Sequence, residues 1–333
     1  MIDLHLHLDG SLNPANIPTM AKMAGLELPY KDEGEIKTKM TVEPDCKSLA
    51  EYLEKFELPL SLLQTRECIE YAVYELMRDL KAQGLCYAEI RYAPQLHLRK
   101  GLTQTDVVEA AIVGRNKGIR DFGFPVNLIL CCMRGEDNRE ENIETVTLAQ
   151  SFLGKGVCAL DLAGNEAAYP TGAFKELFAL AKEKSVPIII HAGEAAGAES
   201  VWQALELGAA RIGHGIHAAE DRELMRVLKE KNIYLEMCYS SNMQTRAVDR
   251  AEDYPLVKFM SQGVGVTLNT DNLTVSNTVL RREYKLVQKQ LALSDDELKA
   301  IAINAANAAF LQPNEKEALK KQINREFAEW IRR

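Results

Sequence analysis

The fold class that the sequence predicts is α/β, a (β/α)8 TIM barrel, and three observations predict it. Eight short apolar runs recur along the chain. Helix-like segments separate most of them. The first run lacks the Gly-rich phosphate turn that a doubly wound sheet favours after its first strand. The runs are 2–7 (IDLHLH), 85–93, 126–132, 157–163, 186–192 (VPIIIHA), 210–214 (ARIGH), 232–238 and 263–270. Most are continuously apolar, as strands buried on both faces of a parallel sheet are.

The intervening elements follow in order. Residues 13–84 separate strands one and two and read as extra helices. Asn13-Pro14 is an N-cap followed by proline at the first helical position. Ser48-x-x-Glu51 reads as a capping box for a helix carrying Leu49, Tyr52, Leu53 and Phe56. Helices are expected at 103–118, where Thr103 precedes Asp106, and at 137–153, 172–184 and 198–207, the last stopped by Gly208. Helix 219–231 is charged on one face and apolar at Leu224, Val227 and Leu228. Beyond strand eight, Ser294-x-x-Glu297 caps one more helix, and Pro313 opens another that ends near Trp330. No linker interrupts the pattern, so one domain is expected over 1–333.

Composition bounds the function. The chain has 333 residues, 47% hydrophobic and 26% charged, the mark of a globular protein. Lys+Arg 40 against Asp+Glu 48 leaves a net charge of −8, which argues against a nucleic-acid or acidic-membrane partner held by bulk charge. There is no apolar run long enough to span a bilayer and no signal-peptide pattern at MIDLHLHLDG, so a cytoplasmic location is expected. The seven cysteines form no CxxC and mostly sit in apolar runs. They read as buried free thiols.

Four of the six histidines, His5, His7, His191 and His214, fall at the C-terminal ends of predicted strands, the end where barrel active sites lie. His5 and His7 form H-x-H, two side chains on one strand face about 6.5 Å apart, a spacing that converges on one ion. Packing of both in a core is the alternative. His191 closes an apolar strand and needs a partner for its ring. A metal supplies one, and so does a loop carbonyl. Asp271 ends GVGVTLNTD, where a carboxylate is costly unless it is paired, bound to a metal, or capping the segment that starts near Ser276. Three neutral imidazoles and one carboxylate on Zn²⁺ leave a net charge of +1 and an open position for water. Glu194 lies just beyond the strand of His191, placed for a general acid or base. His214 is flanked by Gly213 and Gly215, while His97 and His217 read as surface or supporting residues. The zincin H-E-x-x-H, the P-C-x-x-C of cytidine-type deaminases, the G-x-S-x-G elbow and the Walker A loop are all missing.

HLHLDGSL (5–12), DLAGNE (161–166), HAGE (191–194), RIGHG (211–215), EMCYSSN (236–242) and NTDN (269–272) together resemble the adenosine deaminase family, in order over essentially the whole chain. The resemblance implies a zinc-dependent barrel of the amidohydrolase superfamily. It would hydrolyse the 6-amino group of adenosine and 2′-deoxyadenosine with a zinc-activated hydroxide, in purine metabolism. It implies one Zn²⁺ held by His5, His7, His191 and Asp271, since DLAGNE replaces the modified lysine of binuclear relatives. Glu194 would protonate purine N1, and His214 with Asp271 would orient and deprotonate the water. Gly164 would donate to purine N3, Asp9 would bind the 5′-hydroxyl, and His7 would also face the substrate. Helices in 13–84, Phe56 among them, would cover the pocket.

Two residues depart from the family pattern. Asn272 stands where a second Asp is common. Its amide is a donor to purine N7 without needing protonation. Tyr239 stands where many relatives have proline. Related deaminases of adenine, N6-methyl-AMP or aminodeoxyfutalosine are the first alternative. Asp9 and the lack of a basic phosphate cluster weigh against them. A non-catalytic zinc-binding relative is the second, opposed by the intact Glu194–His214 pair.

Overall fold

The computed structural model describes residues 1–30 and 32–333; Lys31, inside the predicted helical insertion, lies outside the described residues. The eight strands are β1 (Ile2–His7), β2 (Tyr87–Tyr92), β3 (Val126–Met133), β4 (Val157–Ala163), β5 (Ile189–Ala192), β6 (Arg211–His214), β7 (Tyr234–Met237) and β8 (Val266–Leu268). Each falls within one residue of a predicted run or inside it. They pair in parallel as two four-stranded sheets, β1 to β4 and β5 to β8. Single parallel bridges join the sheets at both seams, Leu160 with Ile188 and Leu6 with Asp271. The strands thus follow one another around a ring, and helices lie between them as in a (β/α)8 barrel.

The helices take the capping chemistry that the sequence offers. Thr103 and Asp106 form a reciprocal capping box on Gln104–Phe122, and Ser294 with Glu297 forms another on Asp295–Ala308. Helix Ala198–Glu206 ends in a Schellman pair: Gly208 N–H bonds Leu205 C=O and Ala209 N–H bonds Ala204 C=O, with Gly208 at φ 91°. Helix Arg222–Glu230 buries Leu224, Met225 and Leu228, each worth roughly 1.5–3 kcal/mol of transfer free energy.

Two local readings change. Ser48 caps Leu49–Leu53, but the Glu51 carboxylate takes the Lys47 N–H at 3.1 Å, so the box is not reciprocal. The helix stops after five residues and continues as a 3-10 turn over Glu54–Phe56, then as Glu57–Leu62. Asn13 caps only a 3-10 turn, Pro14–Asn16, before the α-helix Ile17–Ala24. The C-terminal helix Pro313–Arg332 packs back near β2 through Trp330, whose indole N–H donates to Gln83 C=O at 2.9 Å. All seven cysteines are free and buried. No helix among the described residues is long and apolar enough to cross a membrane.

Candidate functional site

The seam between β8 and β1 builds the core of the site. Asp271 N–H donates to His5 C=O at 2.8 Å, and His7 N–H donates to Asp271 C=O at 2.7 Å. The strand pleat turns His5 and His7 to one face, and the seam brings the Asp271 carboxylate against both. Asp271 Oδ1 lies 3.4 Å from His5 Nε2 and 3.5 Å from His7 Nε2. From β5, His191 Nε2 comes within 3.2 Å of His7 Nε2. Two groups of possible ligand atoms, His5–His7–His191 and His5–His214–Asp271, each lie within 4.8 Å of one another. Ligand atoms about 2.0–2.1 Å from one tetrahedral ion stand about 3.3–3.4 Å apart. The observed separations match that edge. His5 Nε2 is buried without a hydrogen-bond partner among the described residues, an atom that a cation would satisfy. The donor set fits one divalent ion.

The outward ring nitrogens are fixed from behind. His5 Nδ1 meets Glu236 Oε2 at 2.9 Å, and His191 Nδ1 meets Asp161 Oδ1 at 3.1 Å. Carboxylates in this position hold a ligating imidazole in orientation and tautomer. Arg91 binds both carboxylates, Asp161 and Glu236, at 2.7 Å each. Burial opposes the charge on Asp161 and Glu236, yet their cationic neighbours, Arg91 among them, outweigh it and keep both carboxyls below the usual range. Burial likewise opposes charge on Asp271, and contact with His5 overcomes it, so that carboxylate stays ionised. Burial holds His7 and His191 below the ordinary histidine value, leaving neutral rings.

Glu194 sits in the loop after β5, 5% exposed. Burial, then the charges of Asp271 and Glu166, push its carboxyl up to about 8. It is therefore mostly protonated at neutral pH. Its Oε1 accepts from the Thr245 hydroxyl at 3.2 Å, and its Oε2 lies 3.5 Å from His214 Nε2. His214 is neutral because of burial. Asn242 Oδ1 accepts from Cys238 N–H and from the Tyr254 hydroxyl, so its Nδ2 faces His214 Nδ1 at 3.0 Å. That pairing puts the ring proton on Nε2, pointing into the pocket. His214 and Asp271 both have left-handed backbones, φ 59° and 60°. Non-glycine residues hold that conformation at a cost of about 1–3 kcal/mol each, a cost that clusters at functional sites.

A cavity of about 220 Å³ opens above these groups. His7, Asp9, Gly164, His191, Glu194, His214, Asp271 and Asn272 all line it, with His5 buried beneath. Every site residue expected from sequence is thus gathered at one place. Leu49, Tyr52, Leu53, Phe56 and Leu60 from the 13–84 insertion form an apolar wall. Asp9 Oδ1 and Asn272 Oδ1 are buried without partners among the described residues. Burial raises the Asp9 carboxyl to about 6. Gly164 at φ 107° turns the chain as only glycine does readily.

For His97 only one of the two expected placements holds. It is not a surface residue: it is 1% exposed, with its ring 6.2 Å from that of Tyr92, and burial lowers it to about 4. His217 lies outside the pocket and pairs with Glu220 at 2.7 Å. Tyr239 is the first residue of helix Tyr239–Gln244, a position that accepts proline. Its ring packs at 4.9 Å on Tyr254, which holds Asn242. Sequence reasoning missed Arg91, Asp161, Glu236 and Glu166. A signal was present, because the first three are charged residues inside apolar strand runs.

Comparison with known proteins agrees with this geometry. A family model described as adenosine deaminase matches residues 1–326. A protein named adenosine deaminase from Haemophilus ducreyi is 48% identical over 99% of this chain and 97% of its own length. Among solved structures, an adenine deaminase from Arthrobacter aurescens superposes with a TM-score of 0.87 at 27% identity, covering 100% of this chain and 99% of that one. The N6-methyl-AMP deaminase of Arabidopsis thaliana gives 0.82 at 26% identity, covering 98% and 97%. On its motifs, its fold and these matches, the chain belongs to the adenosine deaminase family.

Proposed function

We propose that the protein hydrolyses adenosine and 2′-deoxyadenosine to inosine or 2′-deoxyinosine and ammonia. One observation carries the reading. A buried carboxylic acid, Glu194, protonated at neutral pH, faces the same small cavity as a three-histidine, one-aspartate metal set. That pairing suits an aromatic C6, which resists water until the ring is protonated.

His5, His7, His191 and Asp271 would hold one zinc ion per chain. Bound there, zinc supplies the Lewis acidity that brings the pKa of a water near 7. Glu194 gives its proton to purine N1, which breaks ring conjugation and makes C6 electrophilic. His214, carrying its proton on Nε2, donates to the attacking water and orients it; Asp271 accepts the water's proton and returns it to the 6-amino group, so that the C6–N6 bond breaks and ammonia leaves. Gly164 N–H donates to purine N3. The Asp9 carboxylate accepts from the 5′-hydroxyl, and the Asn272 amide donates to N7 at any pH. His7 faces the substrate as well. The apolar wall from Leu49 to Leu60 excludes bulk water from the reacting centre.

The substrate is a nucleoside rather than a nucleotide on this reading. Among the described residues no lysine or arginine lines the cavity, so nothing there matches a phosphate. The free Asp9 oxygen supplies an acceptor for a sugar hydroxyl that free adenine lacks. The test is loss of the adenosine absorbance band on adding protein, with 2′-deoxyadenosine, adenine and AMP in parallel. Turnover of the two nucleosides alone, abolished by a chelator and restored by zinc, is expected. Turnover of adenine or AMP alone would move the substrate, and silence on all four would remove the catalytic reading.

A further inference from the structure

Glu166, the last residue of DLAGNE, is 2% exposed and has no direct place in the chemistry above. Its carboxylate accepts four consecutive backbone N–H groups. Oε1 takes Gly193 at 2.7 Å, and Oε2 takes Glu194 at 3.0 Å, Ala195 at 2.7 Å and Ala196 at 3.1 Å. Oε1 also accepts the Ser200 hydroxyl at 2.5 Å. The loop so held is the one that carries Glu194 into the pocket, and Gly193 enters it at φ 69°.

The support extends one layer further, and its hydrogen bonds run in one direction. Ser200 donates to Glu166, so the 2.7 Å contact between Thr171 and Ser200 is donated by Thr171. Arg134 Nη2 donates to the Thr171 hydroxyl at 2.9 Å and to the His191 carbonyl at 2.6 Å. A cation on the loop after β3 and an anion on the loop after β4 therefore grip the exit of β5 from two sides. One grips the backbone of His191, the other the backbone of Glu194.

We propose that Glu166 is a positioning residue for the reaction: its carboxylate shapes the 193–196 loop so that the Glu194 carboxyl stands against Thr245 and His214 in the pocket. This rests on the proton-donor role given to Glu194 above. A carboxylate is the only side chain that presents acceptors, and no donor, to five converging donors. Glutamine at 166 would turn an N–H₂ against a backbone N–H and push the loop outward. Misplacement of a reacting group by about 1 Å costs about 100-fold in rate.

The experiment is Glu166→Gln, read by kcat, KM and bound metal for the purified holoenzyme. The expected result is a kcat about 100-fold lower, with KM within about threefold and metal content unchanged. In a Glu194→Gln background the same substitution should change kcat by less than about twofold, because both act through one group. Multiplying losses in the double variant, unchanged kcat, or loss of metal would each overturn the proposal. If Glu166→Gln does not fold, Ser200→Ala removes one of the five donors and should lower kcat several-fold at constant KM; unchanged kcat would again overturn it. A wild-type protein inert toward adenosine would instead defeat the nucleoside reading, a failure visible before any variant is made.

Discussion

The barrel interior holds two polar layers of opposite character. In the deeper layer, guanidinium groups neutralise the carboxylates: Arg91 binds Asp161 and Glu236, and Arg211 binds Glu89 at 2.5 Å and Glu236 at 2.6 Å. At the mouth, His5 Nε2, Asp9 Oδ1 and Asn272 Oδ1 are buried without hydrogen-bond partners, and among the described residues only imidazole rings stand against Asp271 as possible cations. Both layers are nearly dry, so burial alone does not mark a site. What differs is compensation. The deeper carboxylates are neutralised by guanidinium groups, although Arg91 Nε keeps no hydrogen-bond partner among the described residues, whereas Asp9, Asp271 and Asn272 face the cavity with no guanidinium beside them among the described residues.

The sharpest way to break the contrast is to disarm the upper layer without touching the lower. Glu194→Gln keeps the size of the side chain and removes the proton. It should lower kcat by about 10³–10⁴-fold, toward the upper range for general acid catalysis, with metal content and thermal midpoint near wild type. Near-normal turnover would take Glu194 out of the acid role. The converse change strikes the lower layer. Arg91→Met leaves Asp161 and Glu236 without their shared cation and should cost about 3–5 kcal/mol in urea denaturation. A loss below 1 kcal/mol would show that the network is not a buried ion-pair system.

The smallest effect is in pH. With Glu194 raised to about 8, kcat/KM should hold steady at neutral pH and fall as pH rises through about 8, as the acid loses its proton. Linkage gives the stability sign. The folded carboxyl holds its proton up to about 8, whereas the unfolded one loses it near 4.5, so the folded state binds more protons in between. The stabilising contribution is full below about 4.5 and lost as pH rises through 8. Glu194→Gln should flatten that slope, and an unchanged slope would assign it to other groups.

The two layers were not equally legible in the sequence. The upper groups stand at strand ends as histidines and an aspartate, residue types that apolar runs do not need. Their positions alone therefore pointed to a metal and an acid. The lower charges lie inside the runs at Glu89, Arg91, Asp161, Arg211 and Glu236, where the apolar neighbours on either side dominate the strand pattern. Their pairing crosses strands far apart in sequence, which spacing does not reveal. Glu166 was visible in a motif, but its partners are backbone N–H groups, which carry no sequence signal. His97 shows how burial can also go unseen in the sequence. A histidine in a polar stretch, PQLHLRK, reads equally as surface or supporting, and the Pro94–His97 turn folds it inward, which removes the first of those two readings. The short helix after Ser48 likewise depends on where the Glu51 carboxylate goes, a choice made by Lys47 N–H.

The seam through Asp271 has a consequence for assembly. The first and the eighth strands, far apart in sequence, meet there, and the backbone bonds that join them belong to the residues that would hold the ion. A chain lacking its final strand has His5 and His7 in hand but not their carboxylate. A cation bound at the seam would act as a clasp on the ring, stabilising the closed form by RT ln(1 + [M]/Kd). Metal occupancy would then report completed folding, and ring opening at that one junction would release the ion and the activity together.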